Sequence, residues 1–176
     1  MKFLSLFALG LLLGAGCAVA DVAKARHFDN LAVVGAPPFA EQVVQALTLL
    51  RAKSPAGYAV VTNYVGVIQQ DEHSGMHAER QPPVFQLNDR SAFYSVTWCA
   101  GVIAHDAVHS KLYHEYRSAH AGPVPDDVWT GHAAERVCLD QQLRVLKEIG
   151  APAREIDYFK TLTPDYADVP YQKRNW

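Results

Sequence analysis

Apolar positions along the chain repeat first at helical spacing, then in short strand-like runs, and then at helical spacing again. The first helical segment, 39–53, carries apolar residues three and four positions apart, and Ser54 and Pro55 end it. Three later segments have the composition or the alternation of β-strands: 58–69, 76–79 and 84–87. Residues 21–37 show little periodicity. The pattern predicts one helix followed by a small sheet.

The second half of the chain is helical in pattern. The three predicted helices cover 91–118, 126–150 and 152–162. Capping residues precede the first two, and Gly150 ends the second. No repeat and no linker divides the chain, so we expect a single α+β domain: a small β-sheet followed by a long helix and a packed second helix.

The N-terminal residues 1–20 have the three parts of a secretory signal peptide. A lysine is followed by an apolar run of about eleven residues and then by an Ala-x-Ala cleavage site. We expect cleavage after Ala20, leaving 21–176 as one domain that is periplasmic or secreted. A lipoprotein anchored through Cys17 is the alternative, which Gly14 disfavours because that position normally holds Leu or a similar residue.

Composition narrows the range of functions. The 176 residues carry a formal net charge of -2 and no long basic run, which argues against nucleic-acid binding. After the N-terminus no apolar run is long enough for a membrane span. The length suits one compact domain. The chain has eight histidines, which directs attention to metal sites.

His105 and His109 lie four residues apart in the predicted helix 91–118. That spacing places both rings on one helix face, one turn apart, where two neutral imidazoles can chelate one metal ion. Their neighbours on that face are apolar or aromatic, so both rings point toward the core. Buried imidazoles need a hydrogen-bond acceptor or a metal. The alternative is a pair of ordinary core histidines.

Glu135 projects from the centre of the apolar face of the predicted helix 126–150. A carboxylate in that position needs a cation, a donor or a metal. The ordinary partner would be an arginine: Arg26, Arg51, Arg90 or Arg117. The sharper hypothesis is an ion on His105 and His109, since two His, one Glu and a water form a catalytic zinc set. His132, close to Glu135, is either an outer-sphere group or an alternative ligand.

Two cysteines, Cys99 and Cys138, remain after removal of the leader. In an exported protein two such cysteines are expected to form a disulfide, here one that joins the two helices carrying the candidate ligands. Their offsets from His105 and Glu135 point the same way along antiparallel helices but are unequal. Two buried free thiols are the alternative.

The segment from His105 to His109, followed by Glu135, resembles the zincin metallopeptidases of the gluzincin type. That family carries His-Glu-x-x-His on one helix and a glutamate ligand on a later helix. The uncharged flank before His105 also suits the family, and the strand-rich segment with Ser74-Gly75-Met76 resembles the sheet at the family's substrate cleft. The resemblance covers about 58–150 and implies Zn²⁺, a peptide or protein substrate, and a general base beside the first histidine.

The base position holds Asp106 instead of glutamate. Its carboxylate is about 1.5 Å shorter in reach, and a misplacement of about 1 Å can lower a rate on the order of 10²-fold. The candidates for stabilising the oxyanion are His132, Tyr113 and Tyr116. The hypotheses are an exported zinc metallohydrolase with Asp106 as catalytic base, a non-catalytic zincin-like metal-binding or interaction protein, and an unrelated domain with core histidines.

Overall fold

The computed structural model describes residues 25–164, 167 and 169, and this part of the chain is a single α+β domain, as predicted. Its strands are β1 (Arg26–Phe28), β2 (Leu31–Val34), β3 (Val67–Asp71), β4 (Gly75–His77) and β5 (Val84–Asn88). Its helices are α1 (Pro37–Lys53), α2 (Pro55–Tyr64), α3 (Asp89–Ala92), α4 (Val96–Ala119), α5 (Asp126–Thr130), α6 (His132–Glu148) and α7 (Ala153–Phe159). The predicted signal peptide, its cleavage site and Cys17 lie outside the described residues.

The five strands form one mixed sheet in the order β1-β2-β3-β5-β4. The central strands β2, β3 and β5 are parallel, with Ile68 opposite Val33 and Phe85. The outer strands β1 and β4 run antiparallel to their neighbours. Strand β5 lies between β3 and β4, so the edge strand β4 precedes its own partner in the sequence.

The helices α1 and α4 cover the sheet, and α6 packs against α4. Buried and partly exposed residues alternate along β2, which is the pattern of a sheet covered on one face. Helix α4 is buried over most of its surface because the sheet, α1, α2 and α6 all contact it. Its first turn is capped by Ser95, whose hydroxyl oxygen accepts a hydrogen bond of 2.8 Å from the Trp98 amide.

The predicted strand 58–69 is wrong over its first part, where the structure has α2. Its Val, Thr and Tyr residues favour a strand, but Pro55 fits the first turn of a helix. Tertiary packing then decides: Gly57 lies against Ser54 and Val145, and Val61 is fully buried. Only β3 remains of the predicted strand.

Both long predicted helices are interrupted. The first divides into α3 and α4 because Ser95 starts a new helix, and the second divides into α5 and α6 at Gly131. Residues 21–37, which show no clear periodicity, contain β1 and β2. The predicted helices 39–53 and 152–162 and the strands at 76–79 and 84–87 correspond to α1, α7, β4 and β5.

Among the described helices, none combines the length and the apolar character that crossing a membrane requires.

A candidate metal centre between two helices

Two antiparallel helices bring the three predicted ligands together. His105 in α4 faces Glu135 in α6, while Gly101, one turn earlier in α4, faces Gln142 and Leu146, two and three turns later in α6. The close approach at Gly101, where an added Cβ would lie 3.0 Å from Leu146 Cδ2, holds the two helices near each other. Helical periodicity places these side chains on one face of each helix, and the contact between the two helices then brings them together.

The donor atoms of the three residues form a nearly equilateral triangle. His105 Nε2 and His109 Nε2 are 3.2 Å apart. Glu135 Oε2 lies 3.4 Å from His105 Nε2 and 3.5 Å from His109 Nε2. Glu135 is 1% exposed and His109 is 3% exposed, so the triangle is almost closed to solvent on the side of these two residues.

These separations fit a zinc ion. A tetrahedral zinc with bonds of about 2.0–2.1 Å to nitrogen and oxygen places its ligand atoms about 3.3–3.4 Å from one another. The three observed distances, from 3.2 to 3.5 Å, agree with that spacing. Residues 105, 109 and 135 therefore have the chemistry and the spacing of a zinc-binding set.

The ring of His109 is oriented by a backbone carbonyl. Its Nδ1 lies 2.5 Å from the carbonyl oxygen of Trp129. Since a carbonyl can only accept, Nδ1 donates a proton to it, and Nε2 presents a lone pair to a metal ion once its own proton is lost. This is the arrangement that metal-binding histidines use to fix their tautomer. On His105, Nδ1 is buried without a hydrogen-bond partner among the described residues, so the polar contacts of that ring are made at Nε2.

The electrostatics of the cluster favour an ionised Glu135 carboxylate beside a protonated His109 ring. Burial raises the pKa of Glu135, but hydrogen bonds from His105 and His109 outweigh it and hold the pKa well below its ordinary value. Burial disfavours the charged ring of His109, yet the Cys138 thiol and the Glu135 carboxylate raise its pKa well above the ordinary value. Glu135 therefore contacts the imidazoles that the sequence suggested. Two of the alternative arginines, Arg51 and Arg117, contact Asp29 and Tyr113.

Asp106 is 9% exposed and faces the same cluster. Burial is the largest influence on this carboxyl and raises its pKa to about 6, although His105 and His109 act in the opposite direction. Asp106 also lines the cavity beside the cluster. Asp106 is therefore a buried carboxyl of the site and not a solvated carboxylate on an exposed helix face.

The predicted disulfide between Cys99 and Cys138 is wrong, because both cysteines are free, buried thiols. Cys138 has its sulfur within 4.8 Å of ligand atoms of His105 and His109. The two offsets, six residues from His105 and three from Glu135, differ by about 4.5 Å along the helix axes, so the sequence spacing by itself neither requires nor excludes the bridge.

A cavity of about 550 Å³ opens beside the cluster. Its walls include His105, Asp106, His109 and Glu135. They also include a group that sequence reasoning did not select: Tyr94, Trp98, Val102, Leu139, Tyr158 and Leu162. The rings of Tyr94 and Tyr158 lie 5.4 and 5.5 Å from that of Trp98. Trp98 shares the helical stripe of the two histidines in α4, a signal that could have identified it, whereas Tyr94 lies in the turn before α4 begins. Tyr158 comes from α7 and has no such signal.

The three candidates for the oxyanion lie away from this cavity in the described part of the chain. Tyr113 is buried against the ring of Trp129, with a centroid distance of 5.4 Å. Tyr116 stacks on His120 at 4.0 Å. His132 is partly buried at the start of α6. The structure brings none of these three into the wall of the cavity, whereas Ser74, Gly75 and Asn88 do line it.

Comparison of the chain with models of protein families, with curated proteins and with solved structures gives no match.

Proposed function

We propose that this protein is an exported, zinc-dependent metallohydrolase of the peptidase type, in which His105, His109 and Glu135 hold the ion. The observation that carries the proposal is the triangle of donor atoms, with sides of 3.2, 3.4 and 3.5 Å. Export rests on the composition of residues 1–20. The gluzincin resemblance of the sequence supports the same reaction class.

Zinc bound at this site would supply an acidified water and an electrophile for a substrate carbonyl. Asp106 is placed to act as general base, because it lines the cavity next to the ligand His105. Its pKa of about 6 leaves the carboxylate largely ionised at neutral pH and still basic enough to accept a proton. The same carboxyl group would then return the proton to the leaving amine.

A peptide fits the surroundings of the site. Gly75 of the edge strand β4 lines the cavity, and within the described residues β4 pairs with β5 alone. An extended peptide can add to such an edge through main-chain hydrogen bonds while its side chains enter adjacent pockets. The substrate class proposed is therefore a peptide or an unfolded segment of a protein.

Metal analysis tests the binding part of the proposal. We expect about one zinc per chain after purification and reconstitution, and a large loss of zinc affinity in His105→Ala and in Glu135→Ala. His114→Ala is the matched control, since His114 lies in the same helix and outside the triangle. Absence of zinc from the wild type after reconstitution, or equal binding by all four proteins, would contradict the proposal.

Hydrolysis of a peptide library tests the catalytic part. We expect Asp106→Ala to lower the rate by about 10²–10⁴-fold, the usual contribution of a general base, while its zinc content stays near that of the wild type. Asp106→Glu tests whether the position of α4 requires the shorter side chain of aspartate for catalysis. If the wild type and both variants are zinc-loaded and equally inert, the protein is the non-catalytic metal-binding alternative.

A further inference from the structure

After Glu135, Cys138 is the second potential metal ligand that α6 places near the two histidines. It follows Glu135 by three residues, so the two side chains lie on the same helix face, about one turn apart. Its sulfur lies within 4.8 Å of ligand atoms of both His105 and His109. Cys138 is fully buried and lies close to both rings, so it belongs to the cluster and not to a separate thiol site.

The surroundings of this thiol are unlike those of an ordinary buried cysteine. Buried free cysteines usually pack as small apolar side chains, but the Cys138 sulfur lies within 4.8 Å of ligand atoms of His105 and His109. Cys99 provides the contrast, because it is fully buried within the hydrophobic core. A thiol among two imidazoles and a carboxylate has the composition of a soft metal site.

We propose that Cys138, as a thiolate, is a fourth ligand to the ion held by His105, His109 and Glu135. This inference rests on the proposed function, because it requires that the metal site exists. On binding, the S–H bond breaks, the proton passes to solvent, and a metal–sulfur bond replaces a metal–water bond; no oxidant or reductant takes part. A zinc–sulfur bond of about 2.3 Å places sulfur about 3.5 Å from the ligand nitrogens. The sulfur now lies within 4.8 Å of those nitrogens, so metal binding would require it to approach them by up to about 1.3 Å.

The additional ligand has a consequence for access to the ion. A zinc site with four protein ligands is closed, whereas a catalytic site keeps one position for water. The thiolate must therefore leave, or a fifth position must form, before a substrate reaches the ion. Cys138 would hold the site in a resting form, and Cys138→Ser would open it.

Cobalt substitution tests this inference with a spectroscopic signal that is independent of activity. Cobalt(II) replaces zinc in such sites, and a thiolate bound to it gives an intense charge-transfer band in the near ultraviolet, while the ligand-field bands in the visible range report that cobalt is bound. The full chain has three cysteines, so the experiment uses the wild type and the single variants Cys17→Ser, Cys99→Ser and Cys138→Ser. Cys99→Ser is the matched control, being a buried thiol in α4.

The expected result is one cobalt per chain with a thiolate band in the wild type, Cys17→Ser and Cys99→Ser, and loss of that band with retained visible bands in Cys138→Ser. Visible bands without a thiolate band in the wild type would overturn the role of Cys138 and leave the proposed metal site intact. Absence of cobalt binding in the wild type would overturn both. If Cys138→Ser does not fold, alkylation decides: bound zinc should protect Cys138 of the wild type from a thiol reagent in mild urea, and equal labelling with and without zinc would contradict the inference.

Discussion

At the scale of single residues, the two ring nitrogens of His109 have separate tasks. Nδ1 donates to the Trp129 carbonyl, and Nε2 faces His105 and Glu135. The positions of His105, His109 and Glu135 could be predicted because a regular helix converts sequence spacing into direction. The role of the Trp129 carbonyl could not, since a backbone oxygen carries no sequence signal. The free state of the cysteines depended on the register between two helices, which the sequence does not specify.

A pH-dependent contact lies far from the site, between the β1–β2 turn and α2. The Tyr58 hydroxyl donates to Asp29 Oδ2 at 2.5 Å, and Arg51 lies 3.3 Å from the same carboxylate. The hydrogen bond from Tyr58 is the main reason that the pKa of Asp29 is lowered. Burial and this carboxylate raise the pKa of Tyr58 to about 12. Because the folded pKa of Asp29 is depressed, the stability it contributes is present above the unfolded pKa of about 3.9 and is lost as pH falls below it.

We therefore expect Tyr58→Phe to be less stable than the wild type at pH 7, and the difference to shrink as the pH falls below about 4. Urea midpoints at a series of pH values measure this. Tyr94→Phe is the control, since Tyr94 is 56% exposed and distant from Asp29 in the sequence. A deficit in Tyr58→Phe that stays constant down to pH 2 would show that the hydroxyl acts through packing and not through the carboxylate.

At the scale of elements, the contact between α4 and α6 determines whether the ligands meet. A Cβ at residue 101 would lie 3.0 Å from Leu146 Cδ2 and 3.3 Å from Gln142 Cγ, both of which are tight. Overpacking of this kind lowers stability by about 1–3 kcal/mol, while replacing a helical glycine by alanine returns about 1 kcal/mol. The net change in the free energy of unfolding depends on whether Leu146, which is fully buried, can move.

We expect Gly101→Ala to lower the free energy of unfolding by up to about 2 kcal/mol. The loss should be smaller in a Leu146→Val background, because valine lacks the Cδ2 atom that the new methyl group approaches. Denaturant unfolding of the two single variants and the double variant gives the coupling energy. Identical losses of stability in both backgrounds would mean that the contact between residue 101 and Leu146 does not cause the loss.

Helix α2, which the sequence pattern predicted as part of a strand, shows why local patterns alone do not determine secondary structure. Segment 58–64 has strand-forming residues, yet Gly57 allows α2 to approach Val145 of α6, where a Cβ would come within 2.9 Å. That approach depends on packing between segments that are far apart in the sequence, so the pattern within a short stretch of sequence does not predict it. The α5–α6 break at Gly131 is a second case, since both flanking segments are helical and only the extended backbone of Gly131 separates them.

At the scale of the whole molecule, the fold class and the number of domains could be predicted, but not the strand order. The placement of β5 between β3 and β4, and the pairing of β1 with β2 in a segment without periodicity, are settled by long-range packing. The site lies where the sheet edge, α4 and α6 meet, so ligands from two helices depend on the stability of the entire domain. Metal binding and folding should therefore be coupled.

We expect zinc to raise the thermal stability of the wild type. At a free concentration of 100 times the dissociation constant, the ion adds about 2.7 kcal/mol to the free energy of unfolding. For a domain of this size each kcal/mol corresponds to about 2–4 °C in Tm. Thermal scans with zinc and with a chelator measure the shift, which should be absent in His105→Ala and retained in His77→Ala, where the histidine lies in β4. An equal shift in His105→Ala would place the bound zinc elsewhere.

The break between α5 and α6 also matters for anyone who wishes to make this protein more robust. Replacing glycines in helical segments by alanine is a standard stabilising step, and Gly131, with helices on both sides, is an obvious target. A Cβ there would lie 2.7 Å from the carbonyl oxygen of Asp127, so the chain would have to move. The Trp129 carbonyl, two residues earlier, would move with it and release the imidazole that it orients. The substitution would therefore lower metal affinity as well as stability, and Gly131 also contacts a proposed ligand residue directly, since its carbonyl accepts the Glu135 amide at 2.9 Å.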